Sequence, residues 1–130
     1  MRKIKKSPEG IGVDIVSLSR VDDFLTKHRA SLGKILNPEE RLKVEKSSNP
    51  ARILAYFFSA KEAVFKSLDL EWLGVEGFRM IEINLPQNEE APGRARLSGL
   101  MKEKVKSRLK EWHLQFLEFN GFVVAQALGF

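Results

Sequence analysis

Two spacings of apolar residues alternate along the chain, and the switches between them mark out its elements. Gly10 to Ser17 (GIGVDIVS) is a short apolar run rich in β-branched residues and reads as a strand. Its period of two puts Ile11, Val13 and Ile15 on one face and Gly12, Asp14 and Val16 on the other. Val21, Phe24 and Leu25 then recur at helical spacing, in a helix capped by Ser19 that runs to about Arg29. Asn37-Pro38-Glu39-Glu40 is a strong helix start: a capping Asn, Pro at the first helical position and acids in the first turn. That helix ends near Lys46. After a break at Ser47-Ser48-Asn49-Pro50, Ala51 to Leu68 is predicted as the longest helix, with Leu54, Phe57, Phe58, Val64, Phe65 and Leu68 on its apolar face.

The second half switches back to strand spacing. Phe78 to Leu85 is predicted as a strand, Gln87 to Gly93 as a polar loop and Arg94 to Leu97 as a short strand. Ser98 is placed to cap a helix through about Lys110. Trp112 to Phe119, then Asn120-Gly121, then Phe122 to Leu128, is the clearest hairpin signal. Helices and strands mix without regular βαβ alternation, which favours an α+β fold with an antiparallel sheet and helices on one face. Residues 1–9 read as a flexible basic arm and residues 10–130 as one domain.

Composition narrows the chemistry. With no cysteine among 130 residues, disulfides, zinc–thiolate sites and cysteine nucleophiles are excluded. No stretch approaches the roughly 18 apolar residues of a membrane span, and no apolar segment follows the basic start as in a secretory signal. The expectation is a soluble, cytoplasmic protein with no membrane partner. A net charge of +5 favours anionic partners. Aromatic platforms and a groove-binding basic helix are not found, so nucleic acid is not expected among them. The Lys- and Arg-rich stretch Met101 to Lys110 reads as a solvated helix face.

Asp is depleted in strands, so Asp14 in the middle of GIGVDIV calls for a reason. It either pairs with something near a strand end or serves a site, and Gly12 on the same face lets another group approach closely. Glu62 borders the apolar face of the long helix, four residues after Phe58 and three before Phe65. One reading of it is a surface pair with Lys66 at the favoured spacing. Taken together, Asp14 and Glu62 suit magnesium, which takes one or two carboxylates and accepts the rest of its oxygens from water and phosphates. Lys66, one helical turn on, could then meet phosphate charge.

At these residues the sequence resembles the holo-acyl-carrier-protein synthase branch of the phosphopantetheinyl transferases. Gly10-Ile11-Gly12-Val13-Asp14-Ile15-Val16-Ser17-Leu18-Ser19-Arg20 and Phe58-Ser59-Ala60-Lys61-Glu62-Ala63-Val64-Phe65-Lys66-Ser67-Leu68 carry the likeness, with Leu36-Asn37-Pro38-Glu39-Glu40 in weaker support. The resemblance implies magnesium-dependent transfer of the phosphopantetheine arm of coenzyme A to a serine of an acyl carrier protein, releasing 3′,5′-ADP, in fatty-acid biosynthesis. It implies Asp14 and Glu62 as metal ligands and, with Lys66, as catalytic residues. Lys66, and Lys61 next to Glu62, are the implied phosphate-side cations, Arg20 the contact to the carrier protein, and a homotrimer the assembly, each site lying between two subunits. The chain departs from the family pattern where an arginine usually precedes the helical glutamate by five positions, since that residue is Phe57. It departs again at Gln115-Phe116-Leu117-Glu118, in place of the usual Ser-x-Ser-His, and at Asp69-Leu70-Glu71-Trp72, in place of a Gly-rich loop. Lys43, Lys46 and Arg52 are candidate substitutes for the charge lost at the nucleotide end. The alternative is a catalytically degenerate relative that binds a carrier protein or acts as a scaffold.

Overall fold

A computed structural model of the chain describes residues 7–68, 76–88, 90–104 and 108–130. Strand β1 (Gly10–Ser17) leads into helix α1 (Leu18–His28), a 3-10 turn (Arg29–Ser31) and the one-turn helix α2 (Leu32–Ile35). Helices α3 (Pro38–Lys46) and α4 (Pro50–Ser67) follow, then the single turn α5 (Glu76–Arg79) and strands β2 (Ile81–Asn84) and β3 (Gly93–Leu97). Helix α6 (Gly99–Lys104) and the hairpin β4 (Trp112–Phe119) and β5 (Phe122–Gly129) complete the order. The five strands form one antiparallel sheet in the order β1-β5-β4-β3-β2. The expected α+β architecture is therefore the observed one.

Local chemistry accounts for most of the boundaries. Asn37 and Glu40 form a reciprocal capping box at the start of α3, each side chain accepting from the other's backbone N–H at 2.9 Å. Pro38 and Pro50 occupy the first helical positions of α3 and α4. Asn120 and Gly121 both have positive φ (49° and 78°), the conformation a two-residue hairpin turn requires. The cap of α1 is Ser17 and not the expected Ser19, because the helix begins at Leu18 and the Ser17 hydroxyl accepts from Arg20 N–H.

Two expected elements are shorter in the structure. The strand expected over Phe78 to Leu85 is shortened by α5, and only Ile81–Asn84 pairs with β3. At this junction Lys61 Nζ donates to the Phe78 and Ile81 carbonyls at 2.6 and 2.7 Å. The helix expected to reach Lys110 spans Gly99–Lys104, and by Lys110 the backbone N–H already donates to the Phe130 carbonyl. Ser98 turns its hydroxyl onto the Met80 carbonyl. Residues 1–6 of the expected arm, and Asp69-Leu70-Glu71-Trp72, lie outside the described residues.

The core lies on one face of the sheet. α4 packs across β1, β5 and β4, where Val123, Ala125, Ala127, Trp112 and Leu114 are buried. The small β5 side chains let the helix sit close, and Trp112 Nε1 donates to Ser67 Oγ at 2.7 Å to fasten its C-terminal end. Among the described residues, the opposite face of β1, β5 and β4 carries no helix and exposes Ile11, Val13, Ile15, Leu117, Phe119 and Phe122.

Candidate active site

One glycine brings the two acids together. A Cβ added at Gly12 would lie 1.8 Å from the Ala63 carbonyl oxygen, so the backbone of α4 rests directly on β1. Ala63 follows Glu62, and Asp14 is the next residue on Gly12's face of the strand. Asp14 and Glu62 thus line one cavity of about 1010 Å³, bounded by β1, α1, α2 and α4. Arg20 enters it from α1 and Lys34 from α2, while Phe24 and Phe58 form part of its apolar wall.

Lys66 does not pair with Glu62 on its own helix. Its ammonium crosses to the strand, 2.8 Å from Asp14 Oδ1 and 3.3 Å from the Val13 carbonyl. The Asp14 side chain is 12% exposed and that of Lys66 51%. Burial pushes the Glu62 carboxyl above its ordinary pKa, and the neighbouring Asp14 charge adds to the shift, while Lys66 opposes it. Two carboxylates with overlapping fields and one flexible ammonium make a site poised for a cation and for phosphate. Among the described residues no group of three or more His, Asp or Glu forms a ready-made metal cage. Two hard oxygen ligands beside an open cavity nevertheless fit magnesium, which needs only one or two protein carboxylates when phosphates and water complete the shell.

The other predicted residues separate from this cluster. Lys61 is corrected: its side chain is 1% exposed, and its ammonium pairs with Glu40 at 2.8 Å besides its two carbonyl bonds. Adjacent helical residues do not share a face, so with Glu62 at the cavity Lys61 must point into the core. Burial lowers its pKa, with Glu40 resisting. Glu40 also accepts from Ile83 N–H, so one buried pair joins α3, α4 and β2. Arg52 is bound in a fork by Glu118 at 2.6 and 2.9 Å and lies near Tyr56, which stacks on Phe116. This ion pair stands at one of the positions where the family signature is missing. Phe57, at another, is fully buried. Lys46, in the last turn of α3, and Arg52 do not line the cavity. His113 rests against Phe130 with Nε2 3.3 Å from Glu111. Lys34 was not singled out by sequence, because residues 30–36 carry no readable periodicity.

Similarity to known proteins agrees with this geometry. Residues 10–127 match the family described as the 4′-phosphopantetheinyl transferase superfamily. The chain is 31% identical over 119 residues to the holo-[acyl-carrier-protein] synthase of Caldanaerobacter subterraneus, covering 91% of each. In structure it is similar to the holo-[acyl-carrier-protein] synthase of Neisseria meningitidis, with a TM-score of 0.78 and 28% identity over 95% of this chain and 98% of that one. It is also similar to an acyl carrier protein synthase of Plasmodium yoelii with ADP bound, with a TM-score of 0.69 and 29% identity over 94% of both. A strand acid and a helix acid facing one cavity, on this sheet and over this length of match, identify the chain as a member of the 4′-phosphopantetheinyl transferase superfamily, an enzyme of the holo-acyl-carrier-protein synthase type.

Proposed function

We propose that the protein transfers the 4′-phosphopantetheine arm of coenzyme A to a serine of an acyl carrier protein, with magnesium bound by Asp14 and Glu62, and releases 3′,5′-ADP. The observation that carries this reading is that Asp14 and Glu62 line one cavity and that Lys66 pairs with Asp14. Magnesium would neutralise pyrophosphate charge and assist departure of the leaving phosphate. Asp14 and Glu62 hold it, and Lys66 meets the phosphate oxygens. The serine oxygen forms a bond to the β-phosphorus as the bond from that phosphorus to the bridging oxygen breaks. Glu62, at the cavity beside the metal site, is the acceptor we assign to the serine proton. Positioning and charge neutralisation supply most of the rate.

The names of the relatives support the carrier protein as acceptor, and the bound ADP of the Plasmodium yoelii protein supports a nucleotide-bearing donor. Arg20, at the cavity mouth, faces the acidic carrier, while Lys46 and Arg52 are the cations for the nucleotide end. We further propose a homotrimer closed over the bare sheet face, working in the cytoplasm. The expected result is that a carrier protein incubated with this protein, coenzyme A and magnesium gains the mass of one phosphopantetheine group. Asp14→Ala and Glu62→Ala should each lower the transfer rate by at least about a hundredfold while the fold persists. No mass gain with any of several carrier proteins would overturn the proposal.

A second reading rests on the Arg52–Glu118 pair and on buried Phe57, which stand where the family usually has histidine and arginine. In that reading the chain is a degenerate relative that only binds a carrier protein. Calorimetry showing carrier binding, with no heat from coenzyme A or magnesium, would favour it.

A further inference from the structure

Lys66 holds the strand acid and not a free position over the cavity. Its ammonium lies between Asp14 Oδ1 and the Val13 carbonyl, on the open edge of β1. Asp14 is largely shielded from water, so this lysine is its close charge partner. Glu62 adds a second carboxylate, lining the same cavity as Asp14. The stem of Lys66 is half exposed and flexible, so the ammonium can leave without repacking the core.

We propose that Lys66 is a resident counter-cation, which a divalent metal displaces from Asp14 and which is thereby released to bind the substrate's phosphate. The inference rests on the reading of Asp14 and Glu62 as the metal acids. In the free protein Lys66 occupies a carboxylate oxygen that the metal needs. Displacing it without phosphate leaves an ammonium beside a dication, which Coulomb repulsion opposes. A phosphate gives the lysine a new partner and removes that obstacle. Metal and phosphate therefore promote each other's binding, and by linkage the promotion is reciprocal. A site built this way stays charge-balanced when idle and takes a metal firmly only together with its anionic substrate.

The test is a titration of the substrate-free, full-length protein with manganese as the probe, read by the electron paramagnetic resonance of the free ion. Lys66→Met, with Lys66→Gln as a second variant, should bind manganese about five- to tenfold more tightly than the parent chain. Lys34→Met removes one positive charge from the cavity that Asp14 lines but breaks no ion pair with Asp14, so its affinity should change by less than about twofold. Thermal melts of each variant confirm folding. An unchanged or weaker manganese affinity in both Lys66 variants overturns the exchange, as does a Lys34→Met gain as large as theirs. Failure to bind in every variant also overturns it, because freeing Asp14 would then have opened no site. Retention of the Lys66→Met affinity in the double variant Asp14→Ala/Lys66→Met would instead sink the assignment of Asp14 to the metal.

Discussion

Single side chains decide how closely the site is assembled, and Gly12 is the most constrained of them. Its Cα hydrogen is all that fits between β1 and the Ala63 carbonyl. Backbone, not a yielding side chain, stands in the way of a methyl group. Gly12→Ala must therefore push α4 off the strand and carry Glu62 away from Asp14. The expected loss is about 3 kcal/mol or more of stability, the upper end for overpacking, with transfer lost as well. A urea melt and the carrier-mass assay check it, and a variant as stable as the parent would refute the close-contact argument. Lys61 shows the opposite case, a polar group wholly inside. Lys61→Met leaves the Glu40 carboxylate buried without its cation and two carbonyls without a donor. The expected loss is about 3–5 kcal/mol, read in the same urea melt. At this scale the sequence was legible for Asp14 and Glu62, because each lies in an element of clear period that fixes its face. It was misleading for Lys61: the likeness to a family motif groups it with Glu62, while helical geometry turns it toward Glu40, with which it shares no local pattern. Likewise, the i,i+4 spacing of Glu62 and Lys66 suggested a pair that the nearby strand acid wins.

Elements were readable in proportion to how much of their shape is set locally. β1, α3 and the hairpin match their expected bounds within a residue, since capping, proline and turn chemistry specify them without help from the rest of the chain. α2 and α5 are single turns, too short for a period to register, and a lysine from another helix bonds the Phe78 carbonyl within α5. The link between α4 and β4 was equally hidden. Arg52 and Glu118 are 66 positions apart, and only the fold makes them partners. The Arg52 guanidinium, through its hydrogen bonds, holds the Glu118 carboxyl below its ordinary value of 4.5. A depressed carboxylate pKa adds stability that is full above the unfolded value and fades as pH falls through the folded one. Arg52→Gln should therefore cost about 0.5 kcal/mol at pH 7, modest because both side chains are partly exposed. The gap in melting temperature between the two proteins should close as pH drops below the ordinary carboxylate value. A gap that is constant from neutral to acid pH would mean the pair contributes packing and not charge.

Among the described residues, the sheet is clothed on one side only. Ile15, Leu117 and Phe119 are each at least 60% exposed, and strand register places them with Ile11, Val13 and Phe122 on a single face. A contiguous apolar surface of this kind marks an association site in a folded protein. Ile15 and Phe122 also line the cavity that holds Asp14 and Glu62, so the bare face runs up to the rim of the site. Copies of the chain closing over this face would therefore bring a neighbour's surface alongside the acids. Light scattering should then give about three times the 14.8 kDa mass of one chain. Phe119→Glu places a charge in the middle of that contact, far from the core of the monomer, and should lower the mass toward that of a single chain while the melt of the chain itself changes little. Because the cavity ends at this face, transfer should fall along with the mass, even though Asp14, Glu62 and Lys66 are untouched. A parent protein that scatters as a monomer would refute the assembly. A Phe119→Glu monomer with full activity would instead show that one chain builds the entire site, and that the apolar face serves some other contact.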